Sequence, residues 1–135
     1  MMKGTCMCGE VGFEVTEEPS GALLCHCTAC RKCAGPSGST NMLVKSEDFK
    51  PIGELRTWTR KGVSGKDVTL NFCPTCSTIV FARAESMEGN LVVKVGLLDD
   101  LADIERLAPK AELFVRDRVD VWCERGEEVL LRDTH

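Results

Sequence analysis

At 135 residues the chain has the length of one compact domain, and its 43% apolar content is ordinary for a globular interior. Aromatic residues make up 5% and tyrosine is absent, so the core falls to Val, Leu, Phe and the two tryptophans, a thin supply that a metal staple would reinforce. The 17 basic and 21 acidic residues interleave to a net charge of −4, without the basic stripe that a phosphate backbone requires, which argues against a nucleic-acid-binding zinc ribbon.

The start, Met1-Met2-Lys3-Gly4-Thr5-Cys6, carries no apolar h-region, and no later stretch approaches the roughly 18 apolar residues of a membrane span. A cytoplasmic protein with no membrane partner is the expectation. Val11, Phe13 and Val15 then alternate with Gly12 and Glu14, a half-buried strand leaving a turn at Cys8-Gly9. Further strands are predicted over Ala22 to His26, Thr40 to Val44, Leu55 to Arg60, Val68 to Phe72, Thr78 to Ala84 and Leu91 to Leu97, each bounded by turn-forming residues. Helix is scarce: Thr28 to Ala34 makes about two turns before Gly35-Pro36, and Leu98 to Leu107 precedes Pro109. Glu112 to Val115 and Val119 to Trp122 read as short extended pieces, with loop or turn at Arg116-Asp117-Arg118. The class is mainly β, as a single domain over residues 1–135.

Nine cysteines, an odd number at C-x-C and C-x-x-C spacings, point to metal rather than disulfides in a reducing compartment. Zinc takes four tetrahedral ligands, and pairs one or two residues apart on a tight turn offer two sulfurs to one ion. Cys6 and Cys8 form one such pair and Cys73 and Cys76 another, so a single zinc held by all four would tie the N-terminal hairpin to the middle of the chain. Such a site is closed and structural. Cys25, Cys27 and Cys30 make a C-x-C-x-x-C set on a strand entering a helical turn, three ligands that leave a coordination position open. Cys33 lies three residues beyond Cys30 and either closes that site or serves as a filler or pocket thiol.

Around this set, strand alternation puts His26 on the opposite side from Cys25 and Cys27, favouring a hydrogen-bonding or substrate-facing ring over a ligand. Arg31 and Lys32 follow directly, either lowering thiol pKa values and attracting a carboxylate or lying on a solvated helix face. Cys123, without a partner at knuckle spacing, reads as a buried thiol beside Trp122, and His135 as a frayed end.

Three motifs give the chain a resemblance to the glutathione-dependent formaldehyde-activating family, which includes centromere protein V. Gly4-Thr5-Cys6-Met7-Cys8-Gly9-Glu10-Val11-Gly12-Phe13 is similar to its G-x-C-x-C-G-x-V-x-F, and Cys25-His26-Cys27-Thr28-Ala29-Cys30-Arg31-Lys32-Cys33-Ala34-Gly35 to its C-H-C-x-x-C-R-K-x-x-G. Phe72-Cys73-Pro74-Thr75-Cys76-Ser77-Thr78 is similar to F-C-x-x-C-G-[ST], with Ser77 where the family pattern has Gly, a position after a knuckle that often needs positive φ. The likeness runs from about Gly4 to about Leu98. It implies a β-tent of antiparallel sheets, a structural zinc on Cys6, Cys8, Cys73 and Cys76, and a second, three-ligand zinc on Cys25, Cys27 and Cys30 at an active site. It also implies a carbon-sulfur lyase-type step on an adduct of glutathione or another thiol with formaldehyde or a small aldehyde, with His26, Arg31 and Lys32 as candidate substrate contacts. The competing expectation is a zinc-stapled binding module without catalysis, since fold alone does not fix function.

Overall fold

The computed structural model describes residues 1–124; His135 lies outside them. Among the described residues ten strands form two sheets. The smaller has the order β1-β2-β5, from β1 (Met2–Thr5), β2 (Gly12–Val15) and β5 (Phe49–Ile52), all antiparallel. The larger collects β3 (Gly21–Cys25), β4 (Ser39–Lys45), β6 (Arg56–Lys61), β7 (Asp67–Phe72), β8 (Ile79–Ala84), β9 (Asn90–Lys94) and β10 (Ala111–Leu113) in the order β10-β3-β4-β9-β8-β7-β6. The described residues add three short α-helices, α1 (Thr28–Ala34), α2 (Leu101–Arg106) and α3 (Asp120–Cys123), and four single 3-10 turns. The architecture is mainly β, as the alternation predicts.

The core sits where the sheets face each other. Alternate residues of β4, Met42 and Val44, and of β9, Leu91 and Val93, are buried on that side beside Phe81 of β8. From the small sheet, Phe13 stacks on Phe49 at 5.4 Å between ring centroids, and Phe49 meets Phe81 edge-on at 4.8 Å, so three rings bridge the two layers. The tryptophans, expected in the core, are outside it: Trp58 lies on β6, the last strand of its sheet, and Trp122 on α3, both largely exposed. With so few rings inside, the layer is filled by β-branched and aliphatic side chains.

Where the structure departs from the sequence reading, the causes are local. Strands β1 and β5 escape prediction because each is four residues long and interrupted by Gly4 or Pro51; the proline is tolerated because β5 is the last strand of its sheet. The run expected as Leu91 to Leu97 leaves the sheet at Lys94 and tightens into a 3-10 turn over Val95–Leu97. The helix predicted from Leu98 starts only at Leu101, because Asp100 caps it, accepting from the Ala102 N–H at 2.9 Å. β10 pairs parallel to β3, against the expectation of wholly antiparallel sheets, and Phe114 at φ 56° ends it. Val119 to Trp122, read as extended, instead coils into α3: Val121 and Trp122 face solvent, so the alternation there had no sheet to join. Among the described residues no helix is long and apolar enough to cross a membrane.

Candidate metal centres

Two turns build the first cluster. Between β1 and β2, the Gly9 N–H donates to the Cys6 carbonyl at 3.0 Å and the Val11 N–H donates to Cys6 Sγ at 3.3 Å. Between β7 and β8, the Ser77 N–H returns to the Cys73 carbonyl at 3.0 Å, and the Cys73 N–H to Thr78 at 2.9 Å. Ser77 closes this turn at φ 62°, the left-handed conformation expected of its position but taken up by a residue with a Cβ. Cross-links hold the turns together: the Met7 N–H donates to Thr78 Oγ1 at 3.3 Å, and Thr75 Oγ1 to Glu10 Oε2 at 2.5 Å.

The four sulfurs of Cys6, Cys8, Cys73 and Cys76 all lie within 4.8 Å of one another. Cys6 and Cys8 are 3.5 Å apart and Cys8 and Cys73 3.7 Å. A tetrahedral ion with metal-sulfur bonds of about 2.3 Å would set its sulfurs about 3.8 Å apart, whereas a disulfide needs about 2.05 Å. The spacing therefore fits a metal ion and not a bond, and all nine cysteines are free thiols. Thr78 prepares the donor set: its hydroxyl, 3.1 Å from Cys76 Sγ, and its backbone N–H draw the Cys76 thiol down to about 5.

The second cluster forms where β3 runs into α1. Cys25 is the last residue of β3, and Cys27 caps the helix, its Sγ accepting from the Cys30 N–H at 3.4 Å. α1 spans the residues the sequence predicts and stops at Gly35, whose φ of 99° suits glycine alone. The sulfurs of Cys25, Cys27 and Cys30 lie within 4.8 Å of one another. The hydrogen bond from Cys30 holds the Cys25 thiol down to about 5 against its burial, with the positive charge of Lys94 a smaller contributor. That same bond, together with burial, pushes the Cys30 thiol up.

Cys33 does not converge on this set. It is exposed, and its Sγ turns to the Cys30 carbonyl at 3.5 Å. His26 points away from the sulfurs, as strand alternation requires, with its ring 3% exposed and Nε2 3.3 Å from Glu112 Oε2. Its Nδ1 is buried without a hydrogen-bond partner and packs on Gly38, where a Cβ would lie 3.0 Å away. The ring thus has the hydrogen-bonding role; its burial leaves no open face for the substrate contact also considered for it. Arg31 and Lys32 are exposed in the last turn of α1, on the solvated side. Cys123, expected to be buried, is half-exposed, with Sγ 3.9 Å from the Ser37 carbonyl.

Sequence reasoning missed a polar group beside the second cluster. Ser39 stands opposite Cys25 in the β3–β4 ladder, and Asn41 opposite Lys94 in the β4–β9 ladder. Lys94 Nζ donates to both Ser39 Oγ and Asn41 Oδ1. The available signal was polar Ser39 and Asn41 at period two in a strand whose other face carries Met42 and Val44.

A mainly β scaffold with one four-thiol and one three-thiol cluster, each at the end of a strand, defines a cysteine-rich domain equipped to bind metal. The family model described as glutathione-dependent formaldehyde-activating enzyme matches residues 1–117, and the chain belongs to that family. A crystal structure of a Rhodobacter sphaeroides protein is similar in fold, with a TM-score of 0.62 and 24% identity, covering 82% of this chain and 99% of that one. No curated protein matches the chain in sequence.

Proposed function

We propose that the chain is a two-zinc enzyme of carbon-sulfur bond chemistry, joining or parting a small thiol such as glutathione and formaldehyde or a similar aldehyde. The single observation that carries this reading is the second cluster: three converging thiols, with the fourth nearby cysteine, Cys33, turned away to the Cys30 carbonyl. All-thiolate donors favour zinc among common divalent ions, and family membership concurs. Cys6, Cys8, Cys73 and Cys76 would hold the closed, structural ion and Cys25, Cys27 and Cys30 the open one. When bound there, zinc supplies a Lewis acid able to keep a substrate sulfur deprotonated or polarise a carbonyl.

The chain's own residues do the rest. Cys27 and Cys30 are fixed by the helix cap, so the sulfurs converge before any ligand arrives. Arg31 and Lys32, exposed one and two residues past Cys30, offer cations to a substrate carboxylate. In the forward direction the thiolate sulfur attacks the aldehyde carbon, the carbon-sulfur bond forms, and the carbonyl π electrons move to oxygen, which takes a proton from water. A reducing, cytoplasmic setting suits nine free thiols.

A second reading, a zinc-stapled binding module, draws on the exposed Val121 and Trp122 of α3, an apolar pair that catalysis does not require. The two separate by exchange NMR of hydroxymethyl-thiol adducts across a panel of thiols and aldehydes, run with zinc-loaded protein above the uncatalysed background. Faster adduct exchange in the wild type, lost in Cys30→Ser, supports the enzyme. A protein holding two zinc ions that leaves every exchange rate at background overturns it.

A further inference from the structure

The polar group of Lys94, Ser39 and Asn41 has no part in the motifs quoted above or in the four-thiol cluster, yet it is largely buried and closely hydrogen-bonded. Ser39 and Asn41 are each 1% exposed. Asn41 is locked in one orientation, because its Nδ2 donates to the Ser39 carbonyl at 2.8 Å and its Oδ1 receives the Ser39 hydroxyl at 3.2 Å. With that bond the hydroxyl and the amide already satisfy each other, so the pair has no need of a lysine for its own hydrogen bonding. Lys94 nevertheless brings its ammonium to both oxygens, at 2.8 Å from Asn41 Oδ1. Holding a four-carbon side chain in one arrangement costs rotamer freedom.

The register shows where that ammonium is held. Cys25 ends β3 and faces Ser39; Asn41 follows two residues along on the same face and pairs with Lys94. From its own position across from Asn41, Lys94 reaches back along the sheet to Ser39, the residue directly beside Cys25. Residues directly opposite on neighbouring strands have Cβ atoms roughly 4.5–5.5 Å apart. An ammonium has three donors, and two are taken by Ser39 and Asn41; no third acceptor is recorded among the described residues.

We propose that Lys94 is a positioning residue for the anionic ligand of the three-thiol site: an ammonium pinned by Ser39 and Asn41 that offsets the thiolate charge and admits a substrate thiolate as the fourth donor. The inference rests on the open-site reading above and deepens it. Three thiolates around a divalent ion leave one negative charge, and an incoming thiolate adds another; in the four-thiol cluster the chain itself holds the fourth sulfur in place, whereas an external thiolate must be drawn in against that charge. A fixed cation alongside offsets one of those charges at close range, where solvent screening is weakest.

The test uses the full chain with cobalt(II) in place of zinc, whose visible spectrum reports the donor set. 2-Mercaptoethanol is the anionic probe and imidazole the neutral one, and Cys30→Ser, lacking the open site, gives the ligand-insensitive baseline. Lys94→Met is expected to weaken 2-mercaptoethanol binding about tenfold, to change imidazole binding less than twofold, and to be restored largely by Lys94→Arg. Lys94→Gln, which keeps a polar end near Ser39 and Asn41, serves as a second neutral variant with the same expectation should Lys94→Met not fold. Unchanged 2-mercaptoethanol affinity in the neutral variant, or equal loss of both probes, overturns the proposal and makes Lys94 a structural tie. A wild type that takes up no second cobalt, or whose spectrum responds to neither probe, overturns the open-site reading itself, and the role of Lys94 with it.

Discussion

Replacing Cys73 by Ser tests the division between the two clusters most directly. Cys73 is fully buried and its sulfur lies 3.7 Å from that of Cys8, 65 residues away in sequence. A cross-link across that separation is worth about 4 kcal/mol in loop-closure entropy. The serine hydroxyl left in the core adds about 1–3 kcal/mol if it finds no partner. Together these approach the roughly 5–15 kcal/mol of a typical domain's whole stability, and structural zinc binding is itself worth about 10 kcal/mol or more in small domains. The expected outcome is loss of cooperative unfolding and of near-ultraviolet dichroism in Cys73→Ser, and collapse of the wild-type melting transition in a strong chelator. A Cys73→Ser protein that folds and melts like the wild type, or a wild type indifferent to chelator, would refute the assignment of these four sulfurs to a structural ion.

Cys30→Ser should behave differently, lowering the zinc content from two ions to one per chain by atomic absorption while the dichroism spectrum stays native; global unfolding would make the second site a staple as well. Gly4→Ala should cost about 1–3 kcal/mol in denaturant unfolding, since an added Cβ would sit 2.6 Å from the Leu97 carbonyl oxygen and against the Phe13 ring; unchanged stability would mean that β1 shifts freely. Ser77→Gly should raise the melting temperature, because relief of the left-handed strain of about 1–2 kcal/mol exceeds the glycine entropy cost of about 0.5–1 kcal/mol; a lower melting temperature would show that Ser77 has a compensating contact.

What the sequence disclosed and what it hid follow from one physical distinction. The two cysteine clusters were legible because metal coordination would demand fixed residue types at short fixed spacings: the sulfurs of the Cys6/Cys8 and Cys73/Cys76 pairs, and those of the Cys25, Cys27, Cys30 set, come together as the spacing predicts. Strands with long alternation were legible too, since Met42 and Val44 or Leu91 and Val93 record which face is inside. Elements defined by their neighbours were not. β1 and β5 are too short to show a period, β10 is exposed throughout yet pairs with β3, and α3 reads as strand because Val119 and Val121 alternate without any buried face. The same limit hid Lys94, whose place beside Cys25 exists only through two successive ladder registers.

Those registers also explain why a protein of net negative charge can keep three thiols together. Hydrogen bonds support that gathering: the Cys30 N–H donates to Cys27 Sγ, and the Cys30 thiol holds the Cys25 thiol down to about 5. On the far side of β3, His26 is tied to Glu112, so the one ring close enough in sequence to coordinate is committed elsewhere. The parallel pairing of β10 supplies that carboxylate, and the His26 N–H donates to the Leu113 carbonyl at 3.0 Å. β10 and the Lys94 group therefore act on opposite faces of the same strand end. One ties down the ring nearest the three sulfurs, and the other places an ammonium beside Cys25.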